Sequence, residues 1–133
     1  MTKNISLGLF ILRVSTGFLI LLHGIAKLKK GISGIEKMLA DQGIPGFLAN
    51  LVFLGEVIAP ILMIIGWRTR IASLFVGVTM VVAVWLRHLE DINQLNRGGG
   101  WAIELPALFF FASLTLFITG GGKYAVSHNK KWD

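Results

Sequence analysis

Residues 11–30 read "ILRVSTGFLILLHGIAKLKK", an apolar run broken by Arg13 and His23 and closed by Lys27, Lys29 and Lys30. Taken with the six residues before it, the run from 5 to 26 has the roughly 20 apolar residues that carry a helix across about 30 Å of hydrocarbon. It is too long for the core of a cleaved leader, and no small-residue cleavage site precedes the lysines. The stretch therefore poses the fold as a membrane problem, with an arginine where water is absent.

The rest of the chain agrees. Over 133 residues, 54% are hydrophobic and 15% charged, and the mean hydropathy is +0.71. The apolar residues come in blocks without amphipathic spacing, which excludes a soluble helical domain. With no cysteine, thiol redox chemistry, disulfides and iron–sulfur ligation are excluded. The net charge of +6 is spread between the blocks and makes no nucleic-acid face; it suits lipid headgroups.

Four crossings are expected, at about 5–26, 47–66, 70–87 and 101–119, in one all-α domain: a transmembrane four-helix bundle with both termini on one side. In the third, Arg70 and Arg87 bracket the apolar run and carry their charges to the interfaces. A short interfacial helix is expected at about 34–42, with Ser33 and Glu36 as a capping box and Gly43 and Pro45 as its stop. Trp67, Trp85, Trp101 and Tyr124 fall at helix ends, as an aromatic belt requires. The cations divide evenly between the two sides. The tight Arg68/Arg70 turn and the basic tail favour cytoplasmic termini.

Buried charges need partners. At 1.5 Å per residue, Arg13 lies roughly 12 Å and Glu56 roughly 15 Å from the same interface, so the spacing predicts a buried Arg13–Glu56 ion pair. Nearer the loops, His23 and Glu104 are each roughly 4.5 Å deep. With Lys27, Arg87 and His88 just above them, they form the candidate ligand site. Arg13, Gly17, Gly24 and Lys27 fall within about 40° of one helical stripe. Glu56, Pro60 and Met63 share a face of the second crossing, and Pro60 leaves the Glu56 carbonyl without its helical donor. Ser73 and Gly77 form a small-residue packing pair, and Glu104, Leu108, Phe111 and Thr115 line up on the fourth crossing. Bis-histidine haem is disfavoured, because only His23 and His88 could ligate it, and no metal-binding spacing is present. His128 reads as a tail residue.

These residues resemble the DoxX family of small bacterial four-helix membrane proteins. The resemblance rests on "LRVSTGFLILLHGIAKL" with Arg13, His23, Gly24 and Lys27; on "LGEVIAPILMIIGWRTR" with Gly55, Glu56, Pro60, Gly66, Arg68 and Arg70; on Glu104; and on "GGGKYAVS" with Gly120, Gly122 and Tyr124. It implies a multi-pass protein of the cytoplasmic (inner) membrane linked to redox and stress physiology. Some relatives are subunits of an archaeal thiosulfate:quinone oxidoreductase, and another is proposed to hold detoxifying enzymes at the membrane. Three functions fit: a redox accessory subunit that binds a quinone without covalent attachment and is not an enzyme by itself, a non-catalytic organiser with a protein partner, or a homo-oligomeric transporter or proton-coupled channel. In the first, Phe109, Phe110 and Phe111 would pack the ring beside His23.

Overall fold

The structure, a computed structural model, describes residues 2–127 and 130–133, with the backbone alone for residues 2 and 3. His128 lies outside the described residues. Among those residues there are five helices: α1 (Thr2–Lys30), α2 (Ser33–Asp41), α3 (Gly46–Ile65), α4 (Thr69–Arg87) and α5 (Glu104–Thr119). Helices α1, α3 and α4 are long and apolar enough to cross a membrane, and α5 is a shorter apolar helix.

The four form a closed bundle in which α1 packs on α3, α3 on α4, α4 on α5 and α5 back on α1. Ile20, Ala59, Met63, Ala72, Val76, Met80, Phe109 and Leu116 make its core. The outside is apolar as well: Ile5 is 64% exposed, Val78 53%, Leu108 66% and Ile118 64%. Such a surface is untenable in water and suits lipid. A second, smaller cluster of Ile32, Leu39 and Ala49 holds α2 against the start of α3 at the loop end. Helix α2 begins on Ile32, whose carbonyl accepts from Ile35 and Glu36 N–H; the expected Ser33–Glu36 capping box does not form. Gly43, at φ +75°, ends it.

The seam between α1 and α3 is set by small residues. A Cβ on Gly17 would lie 2.8 Å from the Pro60 carbonyl oxygen, and one on Gly24 would lie 2.1 Å from that of Glu56. The stripe Arg13, Gly17, Gly24 and Lys27 thus faces α3 along its length. Pro60 shapes the other side: without an N–H, and with a ring that clashes with the carbonyl four residues back, it disturbs the Glu56 turn. The chain widens into a π turn over Leu54–Ile58, where the Ala59 N–H reaches back to Leu54. The Glu56 carbonyl then rests against the Gly24 backbone, a Cα–H···O approach that only glycine permits.

Arg13 and Glu56 are both buried, at 1% and 3% exposure, but they do not pair. Arg13 donates from Nη1 to the carbonyls of Met63 (3.0 Å) and Ile64, from Nη2 to Tyr124 (2.8 Å) and from Nε to Gly121 (3.2 Å), and stacks on Phe10 at 5.1 Å. The reason is the direction of side chains. Cα–Cβ bonds tilt towards a helix N-terminus, so Arg13 on α1 leans to the terminal end while Glu56 on antiparallel α3 leans to the loop end. Arg13 therefore reaches the C-terminus of α3, where Met63 and Ile64 have unpaired carbonyls and the helix dipole is negative. Gly66, at φ +82°, turns the chain there, and a side chain would meet the Arg13 guanidinium.

The segment after α5 folds back onto this turn. The Ser127 N–H donates to Gly66 O (3.1 Å), the Arg68 N–H to Ser127 Oγ (3.0 Å), and the Arg68 guanidinium lies 3.6 Å from buried Asp133. Arg68 takes a left-handed φ of 51°, unfavourable for a side chain, and these bonds hold it there. Gly122 packs on Ser6 and Leu9, so the start of α1 and the end of the chain share one end of the bundle.

Two stability predictions follow the geometry. Arg13→Met orphans four carbonyls and should cost about 3 kcal/mol in detergent unfolding, whereas Arg13→Lys should restore less than half, since an ammonium cannot fork. A double-mutant cycle with Glu56→Gln should be additive; strong coupling would restore the ion-pair reading. Gly24→Ala should destabilise by about 2 kcal/mol despite alanine's better helix propensity, while Gly8→Ala, which meets nothing within 4 Å, should be neutral or stabilising by up to about 1 kcal/mol. Melting temperatures of the purified variants would read both.

Candidate functional site

Glu56 leans towards the loop end, and Lys27, on α1, leans back from that end towards it. Their side chains meet in a partly buried ion pair, with the Glu56 side chain 4% exposed and that of Lys27 24%. One turn of α1 therefore serves both polar groups of Glu56: Gly24 takes the carbonyl and Lys27 the carboxylate.

The pair sits at the wall of a cavity of about 520 Å³ between α2, the first half of α3 and the second half of α4. Gly55 and Thr79 close its deep end, where α3 and α4 approach so tightly that a Cβ on Gly55 would lie 1.8 Å from Thr79 Oγ1. Ile35, Leu39 and Ile44 bring in α2 and its following turn, Leu48, Val52, Val78 and Val82 make apolar walls, and Trp85, Arg87 and His88 complete the lining at the loop end. Leu51, Val78 and Val82 are exposed on the bundle's outer surface, so the space communicates with the lipid side. The size falls in the range of small-molecule pockets, and the pattern of apolar walls around a few polar groups is theirs too.

Of the residues expected in the ligand site, Lys27, Arg87 and His88 line this cavity, joined by Glu56. His23 and Glu104 do not line it and do not pair. His23 is exposed and sets its ring edge-on to Phe109, centroids 6.2 Å apart. Glu104 is exposed at the first position of α5 and folds back towards Gly100. Equal depth brought them level, but they lie on different parts of the surface. The line Glu104, Leu108, Phe111 and Thr115 faces outward, while Phe109, Ser113 and Leu116 make the buried face of α5. His88 sets Nδ1 3.0 Å from Asp91 Oδ2. Among the described residues no three histidine or acidic side chains converge as metal ligands do.

Sequence reasoning did not place Gly55, Thr79 or the α2 wall in the site. The signal for Gly55 was its place just before Glu56, a buried glutamate that itself lies four residues before the helix-widening Pro60. The Lys27–Glu56 pair was within reach once the tilt of side chains towards helix N-termini is applied to antiparallel helices.

Comparison with known proteins places the architecture. A family model described as DoxX matches residues 8–89, a span that contains the α1–α3 seam and every lining residue of the cavity. CatD of Bacillus subtilis (strain 168), provisionally named an oxidoreductase, is 31% identical over 120 residues, which cover 90% of this chain and 84% of CatD. The inner membrane protein YqjF of Escherichia coli (strain K12) is 28% identical over 141 residues, covering 99% of this chain and 100% of YqjF. No solved structure matches significantly. With the family model spanning well over half of the sequence and a relative above 30% identity along most of it, this four-helix membrane protein belongs to the DoxX family.

Proposed function

We propose that the protein is a redox-linked accessory subunit of the cytoplasmic membrane that takes a quinone-class ligand, without covalent attachment, into the Lys27–Glu56 cavity. One observation carries this: a partly buried ion pair forms the inner polar wall of a largely apolar space that meets the lipid side and has Arg87 and His88 at its loop end. A lipid-soluble ligand with a carbonyl-bearing ring matches it, because the ring needs apolar walls and the carbonyls need a donor. Lys27, with three N–H donors, has capacity beyond its bond to Glu56. When bound, a quinone supplies two-electron carriage; this chain supplies the binding site and a charged pair that holds hydrogen-bonding groups in place. The oxidoreductase in CatD's name and the inner membrane in YqjF's support the same reading. A partner enzyme would supply the electrons, so the chain is not read as an enzyme by itself. The Arg68/Arg70 turn and basic tail, gathered at one end of the bundle, favour cytoplasmic termini.

The test uses purified protein in lipid nanodiscs and a short-chain ubiquinone analogue. Binding should quench the fluorescence of Trp85 and raise the melting temperature, and Trp85→Phe should remove most of the quenching. Lys27→Gln should weaken binding about tenfold, roughly 1.4 kcal/mol. Val78→Trp, at an exposed wall position, should obstruct the site while leaving the fold intact. If neither ubiquinone nor menaquinone analogues quench or stabilise the protein, the ligand reading fails and a non-catalytic organiser explains the fold better.

A further inference from the structure

Helix α5 is shorter than its neighbour. Its 16 residues rise about 24 Å, against about 28 Å for the 19 residues of α4. The two are level at the terminal end, where Gly121 packs on Thr69 and Gly120 near Arg70 Nε. The difference therefore falls at the loop end, where Trp101 and Ile103 line an apolar hollow of about 190 Å³ with Met80, Val81 and Val84 of α4. Trp101 thus sits below the end of α4, alongside its last two turns.

An antiparallel bridge sets Leu95 opposite Trp101, and directly opposed residues share a face. Leu95 is 71% exposed, the highest value among the exposed large hydrophobic residues, and Ile92 beside it is 38% exposed. The loop also satisfies much of its own backbone. Ala102 N–H donates to Gln94 O (3.0 Å), Asn96 N–H to Gly100 O (2.7 Å), and the Asn96 side-chain oxygen accepts from the N–H groups of Gly98 (3.1 Å) and Gly100 (3.0 Å). The Trp101 indole N–H donates to Ile92 O. This internal pairing lets the loop's backbone leave bulk water for the membrane boundary, where each unpaired N–H or C=O would be costly.

We infer that residues 92–103 form a folded loop seated in the acyl–headgroup boundary of the bilayer, with Leu95 and Trp101 in contact with lipid, completing the crossing that α5 leaves short. The occupant of this apolar surface is lipid, because the depth of Trp101 against α4 puts it there. Arg97, at the turn, has a stem long enough to carry its charge to the headgroups.

The chain has no cysteine, so single thiols can be placed without background. Leu95→Cys carries a bimane label in nanodiscs of phosphatidylcholine, with or without bromines on the acyl chains. Phe111→Cys, on the lipid face of α5, and Lys131→Cys, in the exposed tail, give the two limits; an unchanged melting temperature certifies each fold. The label at 95 should lose at least half as much fluorescence to brominated lipid as the label at 111. Quenching no greater than at 131 overturns the inference, whether the site is found open to water or covered by another protein copy.

Discussion

A helix that ends inside a membrane protein leaves its last carbonyls with no water to receive them, and here that constraint is met by Arg13. Its guanidinium ties α1 to the end of α3 and to the segment after α5, three parts of the chain far apart in sequence. A carboxylate would have answered its charge but only one helix. Four carbonyls spread the charge over several dipoles, which is why an arginine can be 1% exposed with no acid beside it. Gly66 and Tyr124 are placed by the same requirement, since the chain must turn close enough to present its backbone to the fork.

That arrangement frees Glu56 for a different neighbour. Pro60 widens the preceding turn, and the widening aims both polar groups of Glu56 at α1, the carbonyl at Gly24 and the carboxylate at Lys27. π turns of this kind are short and frequently found at functional sites. Here the distortion has a traceable cause in one residue and a traceable effect on another, four positions apart.

The bundle was legible because long apolar runs, flanking arginines and breaker dipeptides speak directly of a bilayer. The small-residue stripe of α1 was legible too, since 100° per residue puts Arg13, Gly17, Gly24 and Lys27 together and the structure turns all four to α3. The pairing of charges was not, because depth computed at Cα ignores side-chain reach. Arg13 and Lys27 differ from that estimate in the same direction along α1, and Glu56 differs in the opposite direction. His23 and Glu104 failed for another reason: equal depth says nothing of azimuth, and α5 turns the Glu104 line outward. The cavity lay beyond sequence because α2 builds one wall, and a nine-residue helix carries no record of what it leans on.

Whether Lys27–Glu56 is scaffold or site can be argued from energetics. Desolvating two charges costs several kcal/mol each, and replacing such a pair by well-packed apolar residues is often neutral or stabilising. A pair kept only to align α1 and α3 would be redundant here: the Gly17 and Gly24 contacts already fix the spacing, and Arg13 already fixes the register at the other end. The pair is also not sealed, since the Lys27 side chain keeps 24% exposure. This pair is packed against α1 and α3 on one side and faces 520 Å³ of space on the other, and that one-sided packing is the geometry on which the proposed ligand site rests.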